Sequence, residues 1–310
     1  MEEIKDKTNK NTILFLLNNT WTGTDTLSFP APNSVNITKK SFSKFNNFKY
    51  KMYINDPEKN TRAILFLFRD SKYNNRCVII DKDLNIFNIT INVLDNYYNY
   101  TIFDILIDYT LNVVSIIDTY ITCGNKVNKW SHSDRLSEAE IFLSNIYEID
   151  PNISIKLKDF YENKNQFLNV HFDENINDLY IIPENFPLLT GTNFSSFRWR
   201  SPKKLFLYFK TVEDKDFINL YCTQYKKDKL FASITTQTEK SSKLIEDIKG
   251  LEGYKDFSII EYNINFENLI LEPIKIIDYK NIPSSIRSIE NIILYKNENI
   301  KIENIIECIL

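Results

Sequence analysis

The sequence predicts an α+β chain of two domains. Three observations predict it: a length of 310 residues, a succession of short β-rich runs, and one stretch with apolar residues at helical spacing. A chain this long exceeds what one apolar core ordinarily serves, so two domains with separate cores are expected. Hydrophobic residues make up 43% and charged residues 25%, close to globular averages, which excludes a disordered chain.

Taken in order, the runs Arg62 to Phe68, Cys77 to Ile80, Ile86 to Val93, Thr101 to Ile107 and Val113 to Ile121 are rich in Ile, Val, Phe or Tyr and read as strands. Asp56-Pro57 and Asn74-Asn75 supply turn signals between some of them. From Leu136 to Tyr147, Ala139, Phe142, Leu143 and Ile146 recur at helical spacing behind a Ser137 cap and an acidic first turn, so one amphipathic helix is expected there. Strand-like runs resume at Leu205 to Phe209, Ile218 to Tyr221, Phe231 to Thr235 and Phe257 to Tyr262. The domain boundary is expected near Ser201-Pro202, giving residues 1–202 and 203–310. Several short strands in the second part fit a small barrel such as an OB fold, though a sandwich reads the same way. No internal repeat is visible.

The start, Met1-Glu2-Glu3-Ile4-Lys5-Asp6, is acidic and polar, and no apolar run approaches membrane-spanning length, so the expected location is the cytoplasm, with no membrane partner. Cys77, Cys123, Cys222 and Cys308 are widely spaced and only His132 and His171 accompany them. A zinc site is not expected from that set, and buried apolar roles are expected for the thiols. Asn, Ile, Lys, Phe and Tyr crowd the chain while Gly falls to 5 and Met to 2, the imprint of an AT-rich genome such as that of a virus or a linear plasmid. With a net charge of −3 the whole molecule repels a nucleic-acid backbone unless basic residues gather locally, and DNA is not an expected partner. Three gatherings stand out: Lys39, Lys40, Lys44, Lys49 and Lys51; Arg198, Arg200, Lys203 and Lys204; and Lys226, Lys227 and Lys229. Solvated surface charge is the plain alternative for the first and third, and strand ion pairs for Arg198 and Arg200.

A collinear series of segments resembles the mRNA capping guanylyltransferases, a family of covalent nucleotidyltransferases with an OB domain. Phe29-Pro30-Ala31-Pro32-Asn33-Ser34-Val35 is similar to the family's Phe-Pro-Gly…Pro-Val-Ser entry segment, and Asn60-Thr61-Arg62-Ala63-Ile64-Leu65 to the Gly-x-Arg-Tyr-Leu-Leu strand after the nucleophilic lysine. Val78-Ile79-Ile80-Asp81 with Asn85-Ile86-Phe87 resembles the hairpin that follows that strand. Thr101-Ile102-Phe103-Asp104-Ile105-Leu106 resembles Thr-Leu-Leu-Asp-Gly-Glu, and Ile117-Asp118 with Ser133-Asp134-Arg135-Leu136 resembles Phe-Asp-x-Leu and Ser-x-Arg-Leu. Leu179 to Pro183, Gly191-Thr192-Asn193 and Phe197-Arg198-Trp199-Arg200-Ser201-Pro202 look like the family's Asp-Gly-Leu-Ile-Phe-x-Pro, Gly-Thr-Asn and Leu-Lys-Trp-Lys-Pro-Pro. Lys280-Asn281-Ile282-Pro283-Ser284-Ser285-Ile286-Arg287 resembles the OB segment that closes on the nucleotide. The resemblance implies an antiparallel-sheet nucleotidyltransferase domain followed by a C-terminal OB-fold β-barrel.

The departures from the family pattern fall on the chemistry. The family's lysine in KxDG attacks the α-phosphate of GTP. Counting back from Arg62 puts Pro57 at that lysine, Lys59 at the aspartate and Asn60 at the glycine; counting forward from Lys49 puts Asn55 there. Lys51 and Lys59 are nearby amines without the flanking pattern. Leu106 replaces the glutamate of Asp-Gly-Glu, Asn177 stands at the acid before Gly-Leu-Ile, and none of the five glycines follows an aspartate. Asp104 and Asp118 remain, with structural turn or strand-edge roles expected.

What the resemblance leaves is a catalytically inactive protein with a basic cleft for an RNA or protein partner. Arg62, Arg198, Arg200, Lys203 and Lys280 are its candidate phosphate or RNA contacts. No catalytic residue, metal or cofactor is expected; GTP and magnesium enter only under the alternative, an active guanylyltransferase or ligase with a displaced lysine. Family and genome composition together suggest an immunity protein of a yeast cytoplasmic linear plasmid, acting against an RNA-cleaving toxin nuclease. A non-catalytic subunit of a viral or plasmid transcription complex is the third reading.

Overall fold

The computed structural model describes residues 1–46, 48–169, 176–201, 205–215, 217–235, 237–265, 270–277 and 282–309. The chain is α+β with mostly antiparallel sheets and divides into two units, Met1–Trp199 with Ile302–Leu310, and Arg200–Lys301. The last helix, Ile302–Ile309, therefore groups with the first unit rather than with the second, where the sequence reading put it.

In the first unit the strands Asn60–Arg69, Thr101–Asp108 and Val113–Thr122 form the middle of an eight-stranded sheet, with Asn75–Asp81 beside Asn60–Arg69. Period-two alternation sends Ala63, Leu65, Leu67, Phe103 and Ile105 to one face and Ile64, Phe66 and Ile102 to the other. Ala139 and Phe142 of one helix cover the first face. Ile13, Leu14, Leu17 and Trp21 of the helix Lys7–Thr22 cover part of the second, and Trp21 stacks on Tyr120 at 4.7 Å. Sequence reading missed this first helix. Its Asn- and Thr-rich segment has weak intrinsic helix preference, so its form is set by packing, by the Asp6 cap on the Asn9 amide (2.8 Å) and by Gly23 at φ +71°.

The helix expected over residues 136–147 runs instead from His132 to Ser144. Ser131, not Ser137, is its cap, accepting from the Asp134 amide at 3.1 Å. Ile146–Ile149 leaves the helix to pair with Ile91–Val93. The single run expected from Ile86 to Val93 is accordingly two strands, Ile86–Asn88 in the large sheet and Ile91–Val93 in this small one.

A four-stranded sheet, ordered Asn33–Asn36, Thr192–Arg200, Asp178–Pro183, Tyr50–Asn55, completes the first unit. Its register sets Tyr180 opposite Tyr53 and Ile182 opposite Lys51. Tyr53 meets Leu106 and Ile117 of the large sheet in a separate apolar cluster, on the sheet face that Ile102 and Ile64 also share.

The second unit is an antiparallel sheet of Phe206–Asp214, Phe217–Gln224, Lys227–Thr235, Ile259–Asn265 and Ile270–Ile276, with the helix Glu239–Lys249 between its third and fourth strands. Leu207, Phe209, Leu220, Ile248, Ile260, Tyr262 and Ile289 form its core. The closed barrel expected from the sequence is not found among the described residues: the third and fifth strands are both edges. Pro273 in the fifth strand lacks an amide donor, which suits an edge and opposes a further ladder on that side. No helix of the described residues is long and apolar enough to cross a membrane.

Candidate functional site

The two sheets of the first unit approach each other around Arg62, Asp104 and Tyr180, and side chains fill that space. Tyr53 and Tyr180 stack with ring centroids 4.9 Å apart and planes 2° from parallel. Arg62 projects from its strand beside them. Its Nε donates to Asp104 Oδ1 at 2.9 Å, its Nη2 to Asp104 Oδ2, and its Nη1 to the Pro32 carbonyl at 2.6 Å. Tyr120 Oη donates to the same carboxylate at 2.6 Å. Burial disfavours the charged guanidinium, yet the Asp104 carboxylate outweighs it and raises the Arg62 pKa further.

Arg198 is held in the same manner from the facing sheet. Its Nε lies 2.7 Å from Asp178 Oδ1, its Nη2 pairs with Oδ2, and its guanidinium carbon sits 5.0 Å from the centroid of the Tyr180 ring. Asp178 is fully buried. The sequence reading set the lost acid of this segment at Asn177; the neighbouring Asp178 is a carboxylate in the sheet interface, committed to Arg198. What remains between Pro32, Tyr53, Arg62, Asp104, Asp118 and Tyr180 is a cavity of about 30 Å³. That compares with about 300–1,000 Å³ for a typical small-molecule site.

The other site residues lie elsewhere. The Arg200 amide donates to Tyr295 Oη at 2.9 Å. Lys203 and Lys280 lie outside the described residues. The structure thus brings Arg62 and Arg198 to the Tyr53–Tyr180 pair, each facing a buried carboxylate. Lys51 is largely buried, with Nζ 2.6 Å from Glu162 and 3.7 Å from Glu184. Lys59 is exposed and 3.6 Å from Asp56. Neither amine lines the cavity.

For the GTP and magnesium of the alternative reading the lining of this space offers few ligands. The Leu106 side chain supplies no oxygen, and Asp104 and Asp178 are each engaged by an arginine. Among the described residues no group of three or more His, Cys, Asp or Glu is placed to hold a metal ion.

Asp118 has the structural role expected of it: it forms a buried bidentate pair with Arg135, Nε–Oδ1 2.7 Å and Nη2–Oδ2 2.9 Å. Burial raises the Asp118 pKa, but Arg135 and then His132 lower it more, leaving it below its ordinary value. His132 is fully buried beside this pair, with Nε2 3.2 Å from the Ile117 carbonyl and its ring edge-on to Phe160. Burial lowers the His132 pKa below 6.5, with Asp118 and Glu184 opposing and Arg135 assisting. The folded state therefore binds fewer protons than the unfolded state below about pH 6.5. Stability is present above the unfolded pKa and is lost as pH falls toward the depressed folded value. The unfolding free energy from urea titrations is expected to fall from pH 7.5 to 5.5 by at most about 1.4 kcal/mol per pH unit from this group, and His132→Gln should flatten that slope. An unchanged slope in the variant would remove His132 as the source.

No family model matches the chain, and no curated protein matches it in sequence. Among solved structures it is similar to a mycobacterial DNA ligase D complexed with ATP and MES, at 7% identity and TM-score 0.35, over 78% of this chain and 91% of that one. A Lig E DNA ligase described as binding DNA with a minimal scaffold gives 8% identity and TM-score 0.37, over 80% of this chain and 99% of the other. The ligase domain of LigD from M. tuberculosis gives 9% and 0.31, over 81% and 96%.

Proposed function

We propose that this chain is a non-catalytic protein of the nucleotidyltransferase type that acts by binding an RNA or a protein partner. One observation carries the reading: the central space between the sheets is reduced to about 30 Å³ by two arginine–carboxylate pairs and a tyrosine stack. Nucleotidyl transfer needs a free amine within reach of an α-phosphate, and among the described residues no lysine lines this small space. The collinear motifs of the sequence support the type. So does the strand order of the second unit, whose first strand lies between the second and fourth with a helix after the third, an order compatible with an opened OB sheet.

Because Arg62 and Arg198 are spent on internal carboxylates, contact with an RNA backbone falls to other basic groups. Lys40 and Lys49 in the first unit, and Lys226, Lys227 and Lys229 in the second, are among the exposed cations. The specific form we favour is an immunity protein that shields an RNA or holds a toxin nuclease, which needs binding and no turnover.

Incubation with α-labelled GTP and ATP and magnesium or manganese, followed by denaturing electrophoresis, tests the reading. No covalent adduct is expected from the folded protein. A labelled lysine, at Lys51, Lys59 or elsewhere, would overturn it.

A further inference from the structure

In the second unit the paired strands Phe217–Gln224 and Lys227–Thr235 end in a basic, aromatic tip. Pairing of Phe217–Gln224 with its other neighbour, Phe206–Asp214, stops at Tyr221 and Lys210, so beyond Tyr221 the two strands continue as a ribbon. The Thr223 amide anchors the base of this ribbon by donating to the Ser284 carbonyl at 3.0 Å. From Tyr225 to Phe231 every residue is exposed.

The turn at the tip runs against local preference. Gln224 pairs with Lys227, which leaves Tyr225 and Lys226 as a two-residue loop, and both are left-handed, φ 50° and 62°. A hairpin loop of this kind favours Asn-Gly, because a bulky side chain at positive φ crowds its own backbone. A tyrosine and a lysine stand there instead, and the tyrosine is 90% exposed, so burial of its ring returns nothing for the strain. Among the described residues the Tyr225 side chain has no partner.

Alternation along the ribbon separates its charges. Lys227 and Lys229 lie on one face, opposite Gln224 and Cys222, and Asp228 lies on the other, opposite Thr223. Asp228 is taken by Lys210 at 2.7 Å. Among the described residues Lys226, Lys227 and Lys229 form no ion pair, in a protein whose net charge is −3. Three unmatched cations within four positions repel one another and favour a polyanion. An accessible flat ring beside them favours a polyanion that carries bases over an acidic peptide. Lys227 and Lys229, two residues apart on a strand, are separated by about 7 Å, close to the step between successive phosphates of an extended chain.

We infer that this ribbon is a contact site for single-stranded RNA, in which a base stacks on Tyr225 while flanking phosphates meet Lys227 and Lys229. Stacking on an exposed ring beside cations is a common means of holding unpaired bases. The strained turn then has a reason, since Asn-Gly would fold more readily but offers no ring. The assignment rests on the RNA form of the function above and places the contact in the second unit rather than at Lys40 and Lys49.

Fluorescence anisotropy with a labelled ten-residue oligouridylate tests it. Tyr225→Asn suits the left-handed turn and keeps every lysine, so its Tm should equal or exceed the wild-type value while RNA affinity falls about tenfold. Tyr225→Phe should keep the affinity. Lys227→Gln with Lys229→Gln should weaken binding and flatten its salt dependence, whereas Lys40→Gln with Lys49→Gln should leave both unchanged. Wild-type affinity in Tyr225→Asn or in the Lys227 and Lys229 double variant would overturn the ribbon as the site while leaving RNA binding intact. Displacement of the oligomer by a ten-residue polyglutamate as readily as by unlabelled oligouridylate would show that the ribbon reads negative charge alone, and would overturn the assignment to RNA. No binding of the oligomer by the wild-type protein would overturn the RNA reading and the ribbon together.

Discussion

Replacing Arg135 with Ala is expected to destabilise the first unit by about 3–5 kcal/mol, the usual consequence of removing one partner of a buried ion pair. Arg135 and Asp118 are 1% and 3% exposed, so water cannot take over the lost contacts. The variant would leave Asp118 with the Thr119 amide at 2.8 Å and a neutral His132 nearby, and would strip the Trp130 carbonyl of its 2.7 Å donor. The double variant Arg135→Met with Asp118→Leu should recover most of the loss, because an apolar pair of similar volume removes the charge as well as its partner. Urea unfolding followed by circular dichroism reads both. A single variant within about 0.5 kcal/mol of wild type would show that the pair does not hold the helix His132–Ser144 to the sheet.

The strands of the large sheet were legible because alternation and apolar runs are local signals. Arg62 to Phe68, Thr101 to Ile107 and Val113 to Ile121 each fall within observed strands. The first helix was not legible, since Asn and Thr conceal a packing face that only the sheet beneath it selects. Ser137 fits a cap by spacing, although Ser131 three residues before Asp134 carries the same local signature. For the site, the losses at Leu106, Pro57 and Asn60 could be read from residue identities. The pairing of Arg62 with Asp104 and of Arg198 with Asp178 could not, because the partners are 42 and 20 residues apart. Only sheet register brings them together. The bulky Tyr53 and Tyr180 likewise become an obstruction only when the register sets them opposite each other.

Asp104→Ala is expected to produce the other large effect, and it bears directly on whether the central space is closed. Asp104 is buried and receives the Arg62 fork and the Tyr120 hydroxyl, so its loss leaves a largely buried cation and an unmatched donor, again worth about 3–5 kcal/mol. The same substitution frees the Arg62 guanidinium and opens space beside it. Added phosphate should then raise the Tm of the variant, because an anion that binds only the folded state stabilises it by mass action, by about 2.7 kcal/mol at one hundred times its Kd. Phosphate and GTP should leave the wild-type Tm unchanged, since the carboxylate already occupies the position an anion would take. A specific rise in the wild-type Tm with GTP, abolished by Arg62→Ala, would mean that the space admits a nucleotide in solution, and the non-catalytic reading would lose its structural basis.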